Sequence, residues 1–335
     1  MTSIAVVILN YNGERLLRQF LHSVVQHSEE AAVVVADNGS ADASREILRL
    51  EFPDVKIIEL GSNYGFCGGY NRALQQVKAD YFVLLNSDVE VTAGWLAPMK
   101  ALLDQNPGIA AVQPKILSYR YRNFFEYAGA GGGFIDSLGY PFCRGRVFDH
   151  VEEDNGQYDD VRPVFWTSGA CMMIRAQKFH ENGGFDEDFF AHMEEIDLCW
   201  KLNRSDNKVF YCGKSCVYHL GAGTLGYYHP KKTYLNFRNG LSLIFKHLGS
   251  TEIFYKIPLR MMLDWLAALF FLLHGEGKNC LSVFRAHVDF LKQVPITIKK
   301  RNEIKRLGSA YPRENIHSGM IIFEYYLRKR KIFPF

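Results

Sequence analysis

The chain has 335 residues, 48% of them hydrophobic and 22% charged, a composition that excludes disordered and low-complexity classes and allows one large domain with an appendage. A formal net charge of +3 says little, but residues 1–250 carry about −5 and residues 251–335 about +8, the mark of a basic, partner-facing tail on a body not built for nucleic acid. Seven cysteines, an odd number scattered through the predicted elements, argue for reduced thiols in a cytoplasmic setting, and the entry into a strand at residue 4 shows no secretion signal.

Residues 4–9 (IAVVIL) form a continuous apolar run, as expected of a parallel strand covered on both faces. The run ends in Asn10-Tyr11-Asn12-Gly13 and is followed by a helical pattern through Leu16, Leu17, Phe20, Leu21 and Val24. Residues 32–36 are the second strand, ending in Asp37-Asn38-Gly39-Ser40, with Ser40 or Asp42 as the cap of the next helix. Residues 55–60 are the third strand, and a Gly-rich turn from Gly61 leads through Asn63, Gly65 and Asn71 into a helix ending near Lys78. Residues 81–85 (YFVLL) are the fourth strand, ending abruptly on Asn86-Ser87-Asp88. Strand and helix alternate four times, which predicts an α/β fold with a mostly parallel sheet.

Each of these strands ends in Asn, Asp or Gly, so polar groups converge where α/β sheets bind ligands. Asp88 with its neighbouring oxygens suits a hard divalent cation carrying a diphosphate; the plainer alternative is a turn, with Asp88 or Thr92 capping a helix near Ala93. Asn10-Tyr11-Asn12-Gly13 lacks the Gly-x-Gly-x-x-Gly that a dinucleotide-binding first turn needs. Cys212 and Cys216 flank a turn, but no second pair completes a zinc site.

After a helix at 95–105 and a strand at 109–113, residues 118–161 read as a long irregular region with Gly129-Ala130-Gly131-Gly132-Gly133 near its middle. Residues 164–174 read as a buried strand broken at Ser168-Gly169. A carboxylate-rich stretch follows, Asp186-Glu187-Asp188 and then Glu194-Glu195-Ile196-Asp197 opening a helix. The bland account is that acidic residues favour a helix's first turn. Residues 217–224 place His219 at a strand end, and a lone His is more often structural than a ligand.

Taken in order, Asn10-Tyr11-Asn12, Asp37-Asn38-Gly39-Ser40, Asn63-Tyr64-Gly65-Phe66 with Asn71, Asn86-Ser87-Asp88, Gly184-Phe185-Asp186-Glu187, Glu194-Glu195-Ile196-Asp197-Leu198 and His219 resemble glycosyltransferase family 2 over residues 4–240. The details are most similar to its bacterial rhamnosyltransferase-like branch, which builds surface polysaccharides. The resemblance implies a GT-A (Rossmann-like) domain at 1–250 with a C-terminal helical extension at 251–335, and an inverting transferase using a UDP- or dTDP-sugar donor and a lipid-linked or polysaccharide acceptor. It implies that Asn10, Tyr11 and Asp37 line the nucleoside pocket and that Asn63, Gly65 and Asn71 shape the wall near ribose and diphosphate. Asn86-Ser87-Asp88 stands where the family has Asp-x-Asp, so Asp88 and His219 would hold Mn²⁺ or Mg²⁺.

Two departures matter. Asn86 replaces the first Asp of that motif, and Glu195 stands where the family has its Asp base, with Glu194 the alternative base. Trp166, Ser168, Gly169, Asp186 and Glu187 would shape the sugar and acceptor pockets, and Arg238 would meet the diphosphate. The departures leave a second reading open, a catalytically silent nucleotide-sugar-binding or scaffold protein. In the tail, the apolar part of residues 257–274 is too short to span a bilayer and is interrupted by Arg260 and Asp264, with basic clusters at 299–301, 305–306 and 328–331. An interfacial anchor on an anionic membrane is the leading expectation; the alternatives are packing on the catalytic domain or on a second subunit, and a true span.

Overall fold

The computed structural model describes residues 2–221, 229–308 and 315–333. The alternation predicted from the apolar runs is present: β1 (Ile4–Asn10), α1 (Glu14–Gln26), β2 (Ala31–Asp37), α2 (Ser44–Glu51), β3 (Lys56–Glu59), α3 (Gly65–Leu74) and β4 (Tyr81–Leu85). The α1 helix buries Leu16, Leu17, Phe20, Leu21 and Val24, the stripe that its spacing implies. Every residue of β4 is buried, as an unbroken apolar run requires when helices cover both faces. Next come β5 (Val89–Val91), α4 (Leu96–Gln105), β6 (Ile109–Ser118), β7 (Gly133–Asp136), β8 (Pro141–Cys143), β9 (Arg146–Val147), β10 (His150–Val151), β11 (Val161–Val164) and β12 (Cys171–Arg175). The remaining elements are α5 (Ala176–Glu181), α6 (Glu194–Arg204), β13 (Lys208–His219), α7 (Pro230–His247), α8 (Ser250–Leu273), α9 (Gly277–Leu307), β14 (Ile316–His317) and α10 (Ile321–Tyr326).

The main sheet runs β11-β13-β6-β12-β4-β1-β2-β3, with β5 added to β13. Parallel pairs join β1 to β2 and β4, β2 to β3, and β6 to β13. β12 runs antiparallel between β4 and β6, and β11 antiparallel to β13. The α/β class and the helical extension at the C-terminus are as expected.

Three local expectations differ from the structure. The region from 118 to 161 is only partly irregular: β7 to β10 within it form a small sheet, completed by β14 from the tail. Its Phe134 and Phe142 rings pack on Phe333 at 5.0 and 5.9 Å, so those aromatics serve a core that spans distant parts of the chain. The α2 helix begins at Ser44, so neither Ser40 nor Asp42 is its cap residue. Asp42 instead accepts from the Ser44 and Glu14 backbone N–H groups, joining the loops after β1 and β2. Finally, β6 continues to Ser118, because β13 gives its second half a partner.

A buried ion cluster joins α6 to α7 and to α9 of the tail. Asp197 on α6 is fully buried; it lies 2.7 Å from Lys246 Nζ and 2.8 Å from His247 Nε2, both on α7, and 3.8 Å from Lys201 Nζ. Lys246 also reaches Asp186 at 2.7 Å, and Lys300 of α9 pairs with the same carboxylate. Burial alone would raise the Asp197 pKa, but Lys246, His247 and Lys201 outweigh it and hold the group well below the usual carboxylate range. Removing this one anion strands buried cations. Asp197→Asn is therefore expected to destabilise the fold by about 3–5 kcal/mol in denaturant unfolding, whereas a change below about 1 kcal/mol would show that the cluster is dispensable.

Candidate active site

The ends of β1, β2 and β4 meet through a polar mesh. Asn10 is fully buried, and its Nδ2 donates to Asp37 Oδ1 at 3.3 Å and to Ser40 Oγ at 3.1 Å. Asp37 Oδ2 accepts from the Ser40 backbone, and Asn38 Nδ2 donates to Asn63 Oδ1 and to the Gly65 carbonyl. A Cβ on Gly13 would lie 2.2 Å from Asn10 Oδ1, so the chain can only cross here as glycine. Tyr11 projects outward, 45% exposed. These residues lie at the carboxyl edge of the sheet, where α/β folds bind ligands. Ser87 lies near this loop, since the same Gly13 position is 4.0 Å from Ser87 Oγ, while the Asn86 N–H is spent on the Ala170 carbonyl.

Asp88 and His219 come together from β4's end and the last residue of β13. His219 Nε2 is 3.1 Å from Asp88 Oδ1, and its Nδ1 is 3.0 Å from Glu126 Oε2. Burial pulls the imidazole pKa down, but the Glu126 and Asp88 carboxylates outweigh it and push it up to about 10. Among the described residues no group of three or more His, Cys, Asp or Glu side chains is placed to hold a metal ion. The Asp88–His219 pair nevertheless fits half of one. A carboxylate and an imidazole side by side are donor types that Mn²⁺ accepts, and such ions keep phosphate oxygens and water as their other ligands. Glu126 on the far nitrogen is the kind of outer partner that fixes a ligating imidazole. It was missed in the sequence because it lies in the stretch read as irregular.

Glu194 and Glu195 begin α6 after a turn in which Phe190, His192 and Met193 all have positive φ, at 63°, 69° and 73°. Non-glycine residues hold that conformation only when their surroundings enforce it. Here Asn239 Nδ2 lies within 2.7–3.0 Å of the Phe189, Ala191 and His192 carbonyls, and Arg238 Nη2 donates to the Asp188 and Phe189 carbonyls. The Phe190 carbonyl in turn accepts from the Phe66 and Cys67 N–H groups at the start of α3. Beside the pair lies Gly169, whose absent Cβ would sit 4.0 Å from both Glu194 Oε1 and Glu195 Cδ. Burial lifts both carboxyl pKa values. Glu195, part-exposed, rises to about 7, and Glu194, buried beside it and repelled by its charge, rises well above the usual range. The Oε2 atoms of both are buried and make no hydrogen bond among the described residues.

The remaining predicted residues are placed as follows. Asn63 Oδ1 accepts from the Gly65 N–H, and a Cβ on Gly65 would strike the Phe190 ring at 2.5 Å. Asn71 holds both the N–H and the carbonyl of Phe185, and Glu187 pairs with Arg72 at 2.9 Å. Trp166 is buried and donates to the Phe134 carbonyl, and Ser168 Oγ donates to the Ala128 carbonyl. Asp186 is committed to Lys246 and Lys300, and Arg238 to the turn before α6. The structure thus groups Asn10, Asp37, Ser87, Asp88 and His219 along the strand ends and Gly169, Glu194 and Glu195 beside α6, while Asn71, Trp166, Asp186 and Arg238 act on the scaffold that holds them. Ala222, Gly223 and Thr224, in the stretch after His219, lie outside the described residues.

Residues 5–180 match the family model described as glycosyl transferase family 2. Among curated proteins, the chain is 27% identical over 291 residues to the N-acetylglucosaminyl-diphospho-decaprenol L-rhamnosyltransferase of Mycobacterium tuberculosis, covering 79% of this chain and 90% of that one. It is 21% identical over 258 residues to rhamnosyltransferase WbbL of Escherichia coli K12, with 74% and 93% covered. Among solved structures, S. aureus TarS 1–349 in complex with UDP-GlcNAc superposes with a TM-score of 0.54 at 16% identity, covering 91% of this chain and 84% of that one. The mannosyltransferase PcManGT of Pyrobaculum calidifontis, in complex with GDP-Man and Mn²⁺, gives 0.52 at 12% identity, with 91% and 84% covered. At these identities the superpositions establish the GT-A fold alone.

Two outcomes follow for the strand-end site. Asp88→Ala should abolish Mn²⁺-dependent binding of a nucleoside diphosphate in a protein that still folds but melts lower, because the buried Asp88 also pairs with His219; calorimetric titration showing unaltered Mn²⁺ dependence would refute the assignment. Glu126→Gln should weaken Mn²⁺ binding in the same titration by about 10–100-fold through loss of the imidazole's support.

Proposed function

The chain belongs to glycosyl transferase family 2 and is a glycosyltransferase, and from that premise we propose that it is an inverting, metal-dependent enzyme of cell-surface glycan synthesis. The donor is a UDP- or dTDP-sugar, with rhamnosyl or another hexosyl as the group moved. The acceptor is a hydroxyl of a lipid-linked or polysaccharide glycan, met at the inner face of the plasma membrane. Residues 1–250 carry the chemistry and residues 251–335 the attachment. The M. tuberculosis relative, whose name specifies a diphospho-decaprenol-linked acceptor, supports a lipid-linked substrate here.

The observation that carries the reading is the unequal carboxylate pair at the start of α6. A general base works best when its pKa lies near the working pH, and Glu195 alone of the pair is raised to about 7 and part-exposed. Glu195 takes the proton from the acceptor hydroxyl as its oxygen attacks the anomeric carbon. The bond to the nucleoside diphosphate breaks on the opposite face, which inverts the centre without a covalent intermediate. Glu194, buried beside Glu195, has its carboxyl pKa pushed well up by burial and by the Glu195 charge. Asn10 and Asp37 orient the nucleoside, with Tyr11 free to cover its outer face. Asp88 and His219 hold the divalent cation, which when bound neutralises charge on the departing diphosphate.

Thermal stabilisation by a panel of nucleotide sugars identifies the donor, since a ligand of the native state alone raises its stability. Release of nucleoside diphosphate in the presence of crude lipid-linked acceptor then measures transfer; donor binding without release would favour a silent binding protein. Glu195→Gln should keep donor affinity and cut transfer by about 10²–10⁴-fold, with Glu194→Gln doing less. The base is active only when ionised, so kcat/KM should rise with pH up to about 7 and level off above it. A rate independent of pH between about 5.5 and 8.5 would place the base elsewhere.

A further inference from the structure

The α8 helix is inside-out. Its face toward the protein carries Lys256, Arg260, Asp264 and Ala268, an i, i+4 stripe, and Arg260 and Asp264 are only 4% and 2% exposed. These polar groups are paired within the fold: Lys256 with Glu252 at 2.8 Å, Asp264 with His287 of α9 at 3.1 Å, and Arg260 with the Leu138 carbonyl at 2.9 Å and the Tyr140 ring. The opposite face carries Met262, Trp265, Leu266, Leu269, Phe270 and Leu273, with Leu266 60% and Leu273 75% exposed. A helix folded only for water would present the reverse pattern.

The α9 helix extends the same face. Leu281, Phe284, Val288 and Leu291 repeat at helical spacing on its exposed side, and Phe284 meets Trp265 ring to ring at 4.1 Å, which fuses the two stripes. Beyond the α9 stripe runs a basic ladder of Lys278, Arg285, Lys292, Lys299 and Arg306, each seven residues after the last and each exposed. Seven residues fall about 20° short of two full turns, so the ladder stays beside the apolar stripe along the whole helix. Among the described residues no helix is long and apolar enough to cross a membrane.

We propose that the outer face of the α8–α9 hairpin lies on an anionic lipid surface, with its Leu, Phe and Trp side chains entering the headgroup–acyl boundary and the basic ladder meeting the headgroups. Charge decides between lipid and a second copy of the chain. A two-fold contact through this face would bring two like-charged ladders together, whereas an anionic bilayer neutralises them. The inference deepens the attachment role proposed for residues 251–335 and rests on that part of the reading, not on the transfer chemistry.

The test uses the full chain with neither donor nor acceptor, so its outcome is separate from that of the transferase assay. The protein should co-sediment with vesicles of equal parts phosphatidylglycerol and phosphatidylcholine, bind phosphatidylcholine alone far less, and be released as NaCl rises from about 0.05 to about 0.5 M. Leu266→Glu with Leu269→Glu, and separately Arg285→Glu with Lys292→Glu, should each weaken vesicle binding by about tenfold or more. All four positions are exposed, and an unchanged melting temperature confirms that the variants are folded. No binding to anionic vesicles, equal binding to both lipids, or equal binding by wild type and both variants overturns the proposal. A doubled mass in light scattering that reverts to one chain in the leucine variant, without vesicle binding, overturns it in favour of a second copy.

Discussion

The arrangement of the site depends on a single buried anion. Asp197 gathers Lys246, His247 and Lys201 around itself, and through Lys246 it is tied to Asp186 and so to Lys300 far along the tail. Charges taken out of water must be matched, and this matching leaves α6 little freedom relative to α7 and α9. His247 also stacks on Trp200 at 4.6 Å, so the same contact region is both ionic and aromatic. The first turn of α6 is where Glu194 and Glu195 sit. The tail is therefore part of what holds the candidate base in place.

The same helix turn carries carboxylates of opposite character. Asp197 is held ionised by cations, while buried Glu194 and half-buried Glu195 have no cation among the causes of their shifts, and both are raised. Helix N-termini favour anions, but here loss of hydration outweighs that preference. What separates the ionised carboxylate from the two raised ones, two and three residues before it, is the partner set that α7 delivers to Asp197. Asn239 and Arg238 complete the arrangement by holding the carbonyls of a turn whose backbone would otherwise relax.

The tail obeys the same logic in reverse. Its polar stripe is consumed by pairing with the body and with its own second helix, so its apolar residues are left outward. Exposed apolar surface of this extent on two adjoining helices has a use or is a liability. The hairpin belongs to the fold through its charged side and to its surroundings through its apolar side.

The apolar runs and their Asn, Asp and Gly endings were enough to reveal an α/β sheet with polar strand ends, because a period of two or an unbroken run is a local property of the chain. Asp88, His219, Glu194 and Glu195 could be named as candidates from the sequence because each lies at or beside an element end. Their company could not. Nothing local to Glu126 announces a contact with His219, 93 positions away, since that contact exists only once β6 and β13 have paired and the small sheet has folded beside them. The sequence likewise could not say that Asp186, Trp166 and Arg238 face the scaffold. Which side of a helix or loop is filled by a cation, a carbonyl or solvent is settled by long-range packing, and in this protein that packing decides which carboxylate stays charged and which is free to take a proton.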